Sequence, residues 1–189
     1  MIKYFKVRMI HNNIREVNTN IPLPQGYYFR NFKDGDQEIW AQIETAAGEF
    51  SSIYKALKRF RYEFTGFETE LRSRCFFLCD RNDRAIGTSM GWYGQDLNGE
   101  IIGRLHWIAI HPDYQGKKLG KPLVARAIKR MQQSHAKAYL TSQTTSWKAI
   151  NMYLDFGFVP SYTSDDCKIA WKLLASKLNR KISPLHQKG

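Results

Sequence analysis

Apolar and polar residues alternate near the N-terminus, and this alternation predicts a strand over residues 3–10. The stretch 21–26 carries two prolines and a glycine and is typical of a turn or an extended linker. A further strand is predicted over 27–32.

Helical spacing of apolar residues predicts two helices after that strand, followed by a short helical turn over 67–74. The first helix is capped by Asp34 or Asp36 and can end at Gly48. Its apolar face consists of Ile39, Trp40, Ile43 and Ala47. The second helix opens at Ser51 or Ser52 and stops at 65–66. Its inward face consists of Ile53, Leu57, Phe60 and Phe64.

The middle and end of the chain alternate between strand and helix patterns. A hairpin signal joins strands over 75–80 and 85–93, and 95–103 is expected to be a polar loop. The remaining elements are expected to be strands over 105–110, 138–142 and 167–174, with helices starting near Gly120 and over 147–156, the second capped by Gly157. This order predicts an α+β fold in a single domain, with a mixed, mostly antiparallel sheet flanked by helices and one parallel pair of strands.

Residues 104–121 combine a buried strand, a turn at Pro112 and a glycine- and lysine-rich entry into a helix. Backbone N–H groups in the first helical turn have no acceptor within their own helix, so such a stretch suits a phosphate group. The P-loop pattern does not fit, because only three residues separate Gly116 from Gly120 and Pro122 follows Lys121. The dinucleotide fingerprint does not fit either.

The stretch resembles the acetyl-CoA signature of the GNAT superfamily of N-acetyltransferases, Gln/Arg-x-x-Gly-x-Gly/Ala. Gln115 and Gly120 match it, and Lys118 stands at the position of the first signature glycine. A second block, 146–158, resembles the Asn-x-x-Ala-x-x-x-Tyr-x-x-x-Gly-Phe helix of the same family. It matches at Ala149, Tyr153, Gly157 and Phe158, with Ser146 in place of the asparagine.

The resemblance implies three segments: an N-terminal strand and linker addition over 1–26, an acetyltransferase domain over 27–175 and a basic, mobile tail over 176–189. It also implies acetyl-CoA as the cosubstrate. The cofactor-binding residues that it implies are Ile108, Ala109, Ile110, Gln115, Gly116, Lys117, Lys118, Leu119, Gly120, Lys121 and Ser146. Tyr153 stands at the position of the acid that protonates the departing thiolate, although its spacing also fits a core tyrosine.

The general base is less narrowly defined, and His106 is the first candidate. The run 105–111 is similar to one in serotonin N-acetyltransferase-like members of the superfamily, and a neutral imidazole can relay a proton at neutral pH. A histidine hydrogen-bonded within the sheet is an equal alternative. Glu44 and Glu49 follow as candidates, with a solvated surface as their alternative. Core packing is the first interpretation of Trp92, Tyr93 and Trp107, and an aromatic acceptor pocket is the second.

Composition narrows the choice of partners. The formal net charge of +12 fits polyanionic ligands. No tract of five or six consecutive basic residues occurs, however, so nucleic acid is not the expected partner. Because so basic a protein repels polybasic peptides, a small-molecule amine is the expected acceptor. A homodimer stays open.

The sequence also predicts the cellular compartment of the protein and the redox state of its cysteines. No apolar run is long enough for a membrane span and the N-terminus lacks the apolar region of a signal peptide, so we expect a cytoplasmic protein without membrane association. The three cysteines (Cys75, Cys79 and Cys167) have no disulfide spacing and are expected to be reduced, with no metal site.

The resulting hypothesis is an acetyl-CoA-dependent N-acetyltransferase in which the amine attacks directly within a ternary complex. Neither matched block contains a cysteine, which argues against an acetyl-enzyme. The alternative is a non-catalytic module on the same fold that senses acyl-CoA or binds nucleic acid.

Overall fold

The structure is a computed structural model that describes residues 2–162 and 165–183. The fold is α+β, with seven strands in a mixed, mostly antiparallel sheet and six α-helices among the described residues. The strands are β1 (Lys6–His11), β2 (Tyr27–Asn31), β3 (Cys75–Asp80), β4 (Ala85–Gln95), β5 (Ile101–Ile110), β6 (Ala138–Gln143) and β7 (Val159–Ser161). The helices are α1 (Gln37–Ala46), α2 (Ile53–Phe64), α3 (Glu68–Arg74), α4 (Gly120–Gln132), α5 (Trp147–Asp155) and α6 (Asp165–Leu178). None of the helices in these two ranges is both long and apolar enough to cross a membrane.

Two compact units divide the chain, and β4 and β5 contribute residues to both. Unit 2 comprises 18–92 and 105–134 and holds the strand order β2-β3-β4-β5 with α1 to α4. In its core, four buried side chains of β3, β4 and α4 pack together: Leu78, Ile86, Leu119 and Leu123. This packing fixes the start of α4 against the sheet.

Unit 1 comprises the described parts of 1–17, 93–104 and 135–189 and holds the strand order β5-β6-β1-β7. β5 and β6 pair in parallel at Gly103 and Arg104, while β1 pairs antiparallel with both β6 and β7. The N-terminal strand therefore lies inside this part of the sheet, with Val7 and Met9 buried. Thr144 holds the residues that precede β1 in place. Its Oγ1 donates to the carbonyl of Lys3 at 2.5 Å and accepts from the N–H of Phe5 at 3.0 Å.

Helices α1 and α2 both begin directly after a predicted cap residue, but only one of the two side chains forms the capping hydrogen bond. Ser52 caps α2 by accepting the N–H of Lys55 at 3.3 Å. Asp36 precedes α1, but its carboxylate accepts from the guanidinium of Arg30 at 2.6 Å and from the N–H of Lys33 at 2.6 Å instead of from the helix. The Asp36 side chain therefore forms an ion pair with Arg30 on β2 instead of capping α1.

The predicted strand over 167–174 is wrong, because these residues form part of α6. The buried side chains in this segment are Cys167, Ala170, Trp171 and Leu174. They recur at intervals of three and four residues, which is a helical period and not a strand period. Helix α6 continues to Leu178, so the predicted mobile tail begins inside it, and residues 184–189 lie outside the described ranges.

Two shorter features also differ from the prediction. The polar loop is confined to 96–100, because Asp96 closes a tight turn by accepting the N–H groups of Asn98 at 2.8 Å and Glu100 at 2.9 Å. Strand β7 was not predicted, because it has three residues and contains Pro160. A proline is tolerated there because β7 is the last strand in the order and needs to donate on one side only.

Candidate active site

Strand β5 of unit 2 is irregular at Trp107, whose φ of +46° lies in the left-handed region. In a regular strand, neighbouring side chains point to opposite faces of the sheet. Here His106 and Trp107 both reach the carboxylate of Glu63 on α2. Non-glycine residues with such a φ are rare and concentrate at functional sites, so the irregularity marks this part of β5 as a candidate site.

The Glu63 carboxylate has three cationic or N–H partners. His106 Nε2 lies 2.7 Å from Oε2, Trp107 Nε1 donates to the same oxygen at 3.0 Å, and Arg59 forms an ion pair with Oε1. Burial acts to raise the pKa of Glu63, but the hydrogen bond and charge of His106, together with Trp107 and Arg59, lower this pKa to about 2. Glu63 is therefore ionised at neutral pH.

An ionised Glu63 fixes the tautomer of His106. A carboxylate only accepts hydrogen bonds, so Nε2 of His106 must carry the proton, and Nδ1 is the accepting nitrogen of the neutral ring. The same carboxylate stabilises the imidazolium that forms when Nδ1 takes a proton. His106 is only 8% exposed. The pair can therefore act as a sheltered proton acceptor.

An aromatic cluster surrounds this pair. The ring of Trp107 lies 5.2 Å from that of Trp40 and 5.4 Å from that of Phe50, centroid to centroid. Phe50 belongs to the connection between α1 and α2, and both it and Trp107 are partly exposed. The predicted Trp107 is thus brought together with Trp40 and Phe50.

The other two aromatic candidates have different neighbours. Trp92 is 7% exposed and packs against Phe64 at 5.0 Å. Tyr93 belongs to unit 1, where its ring lies 6.4 Å from that of His135. The core packing that was the alternative for these residues describes Trp92.

Sequence reasoning missed Glu63, although a signal for it exists. Glu63 follows Phe60 by three residues and precedes Phe64, so it is an acidic residue at the edge of the apolar face of α2. An acid in such a position needs a partner inside the fold.

Glu44, a predicted alternative base, is not on a solvated surface. Its side chain is fully buried on α1, and neither carboxyl oxygen has a hydrogen-bond partner among the described residues. Burial, with a smaller contribution from the charge of Glu49, raises the pKa of Glu44 well above its usual value. Glu44 is therefore a neutral acid, whereas Glu49 is exposed and donates its backbone N–H to the carbonyl of Glu44 at 3.0 Å.

The lysine-rich loop before α4 has two residues with positive φ, Gly116 at +78° and Lys118 at +61°. The amide groups of 116–119 donate to no acceptor within residues 2–162 and 165–183. The loop is exposed from Gly116 to Lys118, and α4 begins at Gly120. Successive unpaired amides near lysine side chains suit an anionic group, and a phosphate in particular.

Contacts from neighbouring elements hold this loop in place. The hydroxyl of Tyr114 donates to Asp80 at 2.7 Å, and Nε2 of Gln115 donates to the carbonyl of Ile110 at 3.1 Å. Leu119 is 1% exposed within the core of unit 2. The side chains of Gln115 and Leu119 therefore position the loop, and ligand contacts are left to its amides and lysines.

The predicted strand residues next to the loop face the same core. Ile108 and Ile110 pack against the cluster that includes Leu119 and Leu123, whereas His106 contacts α2. A regular alternation would place His106 on the side of Ile108 and Ile110, but it is interrupted at Trp107.

Unit 1 holds the second matched block. Tyr153 lies on α5 and is 7% exposed, and its backbone carbonyl accepts the N–H of Phe158 at 3.1 Å. Gly157 has φ +84°, as expected of the glycine that ends α5. Ser146 precedes α5 and its side chain makes no capping hydrogen bond.

The sequence model of the Acetyltransferase (GNAT) family matches residues 37–158 of this chain. No curated protein sequence is significantly similar to it.

Solved structures match the fold. A GCN5-related N-acetyltransferase from Sphaerobacter thermophilus is 15% identical with a TM-score of 0.62, and the match covers 84% of this chain and 50% of that one. A Pyrococcus horikoshii protein is 17% identical with a TM-score of 0.60, over 73% of this chain and 92% of that one. A GCN5-related glucosamine N-acetyltransferase region of a fungal multi-domain β-N-acetylglucosaminidase is 13% identical with a TM-score of 0.61, over 84% of this chain and 20% of that one. The chain thus spans half or less of two of these three structures.

Proposed function

Because the chain belongs to the GNAT acetyltransferase family, we propose that it is an N-acetyltransferase that moves an acetyl group from acetyl-CoA to a primary amine. The amine attacks the thioester directly within a ternary complex. The observation that carries the proposal is the contact between His106 and the ionised Glu63, because it supplies a proton acceptor beside partly exposed aromatic rings.

The family implies an acyl-CoA cosubstrate, and the loop before α4 fits its phosphates. The unpaired amides of 116–119 offer donors in a row, and Lys117, Lys118 and Lys121 add positive charge. Lys118 adopts the left-handed conformation that a signature glycine would adopt easily. The loop therefore keeps the backbone shape that an anion needs, despite the substitution.

Acetyl-CoA, when bound, supplies an activated acetyl group as a thioester. The chain must then remove a proton from the amine, because a lysine-type amine with a pKa of about 10.4 is almost entirely protonated at pH 7. Nδ1 of His106 accepts this proton, directly or through water, and Glu63 balances the charge. The proposal leaves Glu44 out of this step, because a neutral acid cannot act as a base.

The remaining roles rest on the resemblance. Backbone groups of Ile108 and Ala109 hold the acyl arm and its developing oxyanion, and Ser146 contacts the pantetheine arm. The carbonyl of Ile110 already accepts from Gln115, so we assign it a supporting role. Tyr153 protonates the departing thiolate.

A covalent acetyl-enzyme is disfavoured by the state of the thiols. All three cysteines are buried, and none of them forms a disulfide. Burial raises the pKa of Cys75 far above its usual value and also raises that of Cys79. A protonated, buried thiol is a poor nucleophile.

Thiol release from acetyl-CoA with a panel of small amines, including aromatic ones, tests the proposal. We expect turnover with at least one amine, and in Tyr153→Phe a kcat about tenfold to a hundredfold lower with little change in KM. An unchanged kcat would remove Tyr153 from the chemistry. Binding of acetyl-CoA without turnover of any amine would contradict the enzyme and favour an acyl-CoA sensor.

A further inference from the structure

One face of the sheet in unit 1 carries positive charge along β1. The antiparallel register sets Lys6 opposite Gln143 and Arg8 opposite Thr141. Opposed residues of paired strands point to the same side, so these four side chains share one face. Val7 and its neighbours in the core point to the other side.

This face contains a pocket of about 430 Å³. Small-molecule sites in proteins have volumes of about 300–1,000 Å³, so the pocket can hold a small ligand. Its lining combines two cations with hydroxyl and amide groups and includes no acidic residue: Tyr4, Lys6, Val7, Arg8, Thr141, Ser142 and Gln143.

The positive charge at this face has no counter-charge among the described residues. The guanidinium carbons of Arg8 and Arg104 lie 4.2 Å and 5.8 Å from the centroid of the Tyr139 ring. Nε of each arginine is buried and has no hydrogen-bond partner within the described part of the chain. By contrast, Arg180 of the same unit is paired with Asp155 at 2.7 Å.

An arginine that is partly removed from water without a counter-charge is unfavourable, so an anion in the pocket beside Arg8 would stabilise it. A guanidinium held over an aromatic ring presents its donors in a fixed plane, which matches the two oxygens of a phosphate or a carboxylate. The pocket beside Arg8 adds the Lys6 ammonium and the hydroxyl of Thr141 as further donors.

We propose that this pocket binds a small organic anion through a phosphate or carboxylate group. The anionic group lies against Arg8 and Lys6, and the body of the ligand rests on Tyr4. None of the lining residues is among those assigned to acetyl-CoA, so the site is independent of the proposed acyl transfer.

Phenyl phosphate and benzoate, titrated into the full chain by calorimetry, test the proposal and separate the two anionic groups. We expect saturable binding of at least one probe. Removing the planar donor in Arg8→Gln should weaken that binding at least about tenfold, because a charged hydrogen bond is lost. Arg8→Lys keeps the positive charge but lacks the planar pair of donors, so its affinity for the probe should lie between those of the wild type and Arg8→Gln.

Two controls make the test specific. Arg15→Gln removes the same charge from an exposed position in unit 1 and should leave binding unchanged. The double variant Lys117→Ala, Lys118→Ala should also leave it unchanged, because it alters only the loop before α4. Binding that is lost in this double variant but kept in Arg8→Gln would place the probe at that loop and overturn the proposal.

Lys6→Gln covers the case in which Arg8→Gln does not fold, which a thermal melt would show. Lys6 is exposed, so its replacement leaves the core intact, and we expect binding about threefold to tenfold weaker. Wild-type affinity in Lys6→Gln, or no binding of either probe at 10 mM, roughly the weakest affinity that calorimetry resolves, would overturn the proposal.

Discussion

Glu63 and Glu44 belong to the same unit and are both largely removed from water, yet they are in opposite charge states. The Glu63 carboxylate contacts His106, Trp107 and Arg59 and is ionised, whereas the Glu44 carboxyl has no hydrogen-bond partner among the described residues and is neutral. Burial acts to raise the pKa of both carboxyls. The difference teaches that burial alone keeps a carboxyl protonated, and that the partners of Glu63 reverse this effect and leave a carboxylate that can support a base.

Replacing Glu63 should have the largest effect. Glu63→Gln cannot be ionised and can donate from its amide to Nε2 of His106, which favours the wrong tautomer of the imidazole. We expect kcat to fall about 100-fold to 1,000-fold, with little change in the KM for acetyl-CoA, as measured by thiol release with an amine that the panel identifies.

Glu38→Gln is the matched control, because Glu38 is an exposed acid in the first turn of α1. Its kcat should equal that of the wild type. An equal kcat in Glu63→Gln would show that Glu63 is only structural and that the contrast with Glu44 has no catalytic meaning.

Replacing Glu44 should change stability in the direction opposite to a loss of Glu63. Above about pH 4.3 the unfolded chain releases the Glu44 proton while the folded chain retains it up to its raised pKa, so stability falls as the pH rises through this range. Glu44→Gln keeps the shape without the proton. In urea unfolding, we expect the free energy of unfolding of the variant, relative to that of the wild type, to increase between about pH 4.5 and pH 7.5.

Glu63→Gln in the same measurement sharpens the contrast. Because the folded pKa of Glu63 is lowered to about 2, its contribution is complete above the unfolded value and is lost as the pH falls towards 2. The wild type should therefore lose about 2–3 kcal/mol of unfolding free energy as the pH falls through this range, and Glu63→Gln should not show this loss. If the difference in unfolding free energy between Glu44→Gln and the wild type does not depend on pH, Glu44 is not protonated in the folded chain.

Arg59→Gln should have the smallest effect. The Arg59 side chain is 46% exposed and pairs with Glu63 at a spacing of four residues on α2. Such pairs contribute about 0.3–0.5 kcal/mol, so we expect a small drop in thermal stability and a change in kcat of less than about threefold. A loss of kcat as large as that in Glu63→Gln would show that Arg59, and not His106, is the partner that matters.

Local patterns predicted most of unit 2, including the hairpin after Asp80 and the loop before α4. Periodicity and turn residues act over a few positions, so they are readable in the sequence. The strand predicted near the end of the chain was wrong for a physical reason. Cys167 to Leu174 is short and apolar enough for either element, and the buried positions that identify a helix are known only once the fold shows which side chains are covered.

The candidate site was predicted in part. The sequence supplied His106, Trp107 and the lysine loop, but it did not reveal that Glu63 joins them. A contact between α2 and β5 spans 43 positions along the chain. No local rule connects residues so far apart, and Glu44 and Glu63 look alike until their neighbours are known.

The sequence by itself determined the order of elements in unit 2 and the position of the glycine- and lysine-rich loop, because hydrophobic period and backbone preference are properties of short segments. Only the tertiary structure decided the charge of Glu44 and Glu63, the place of β1 within the sheet and the left-handed turn at Trp107. Those features depend on which groups exclude water and which donate hydrogen bonds, and distant segments of the chain supply both.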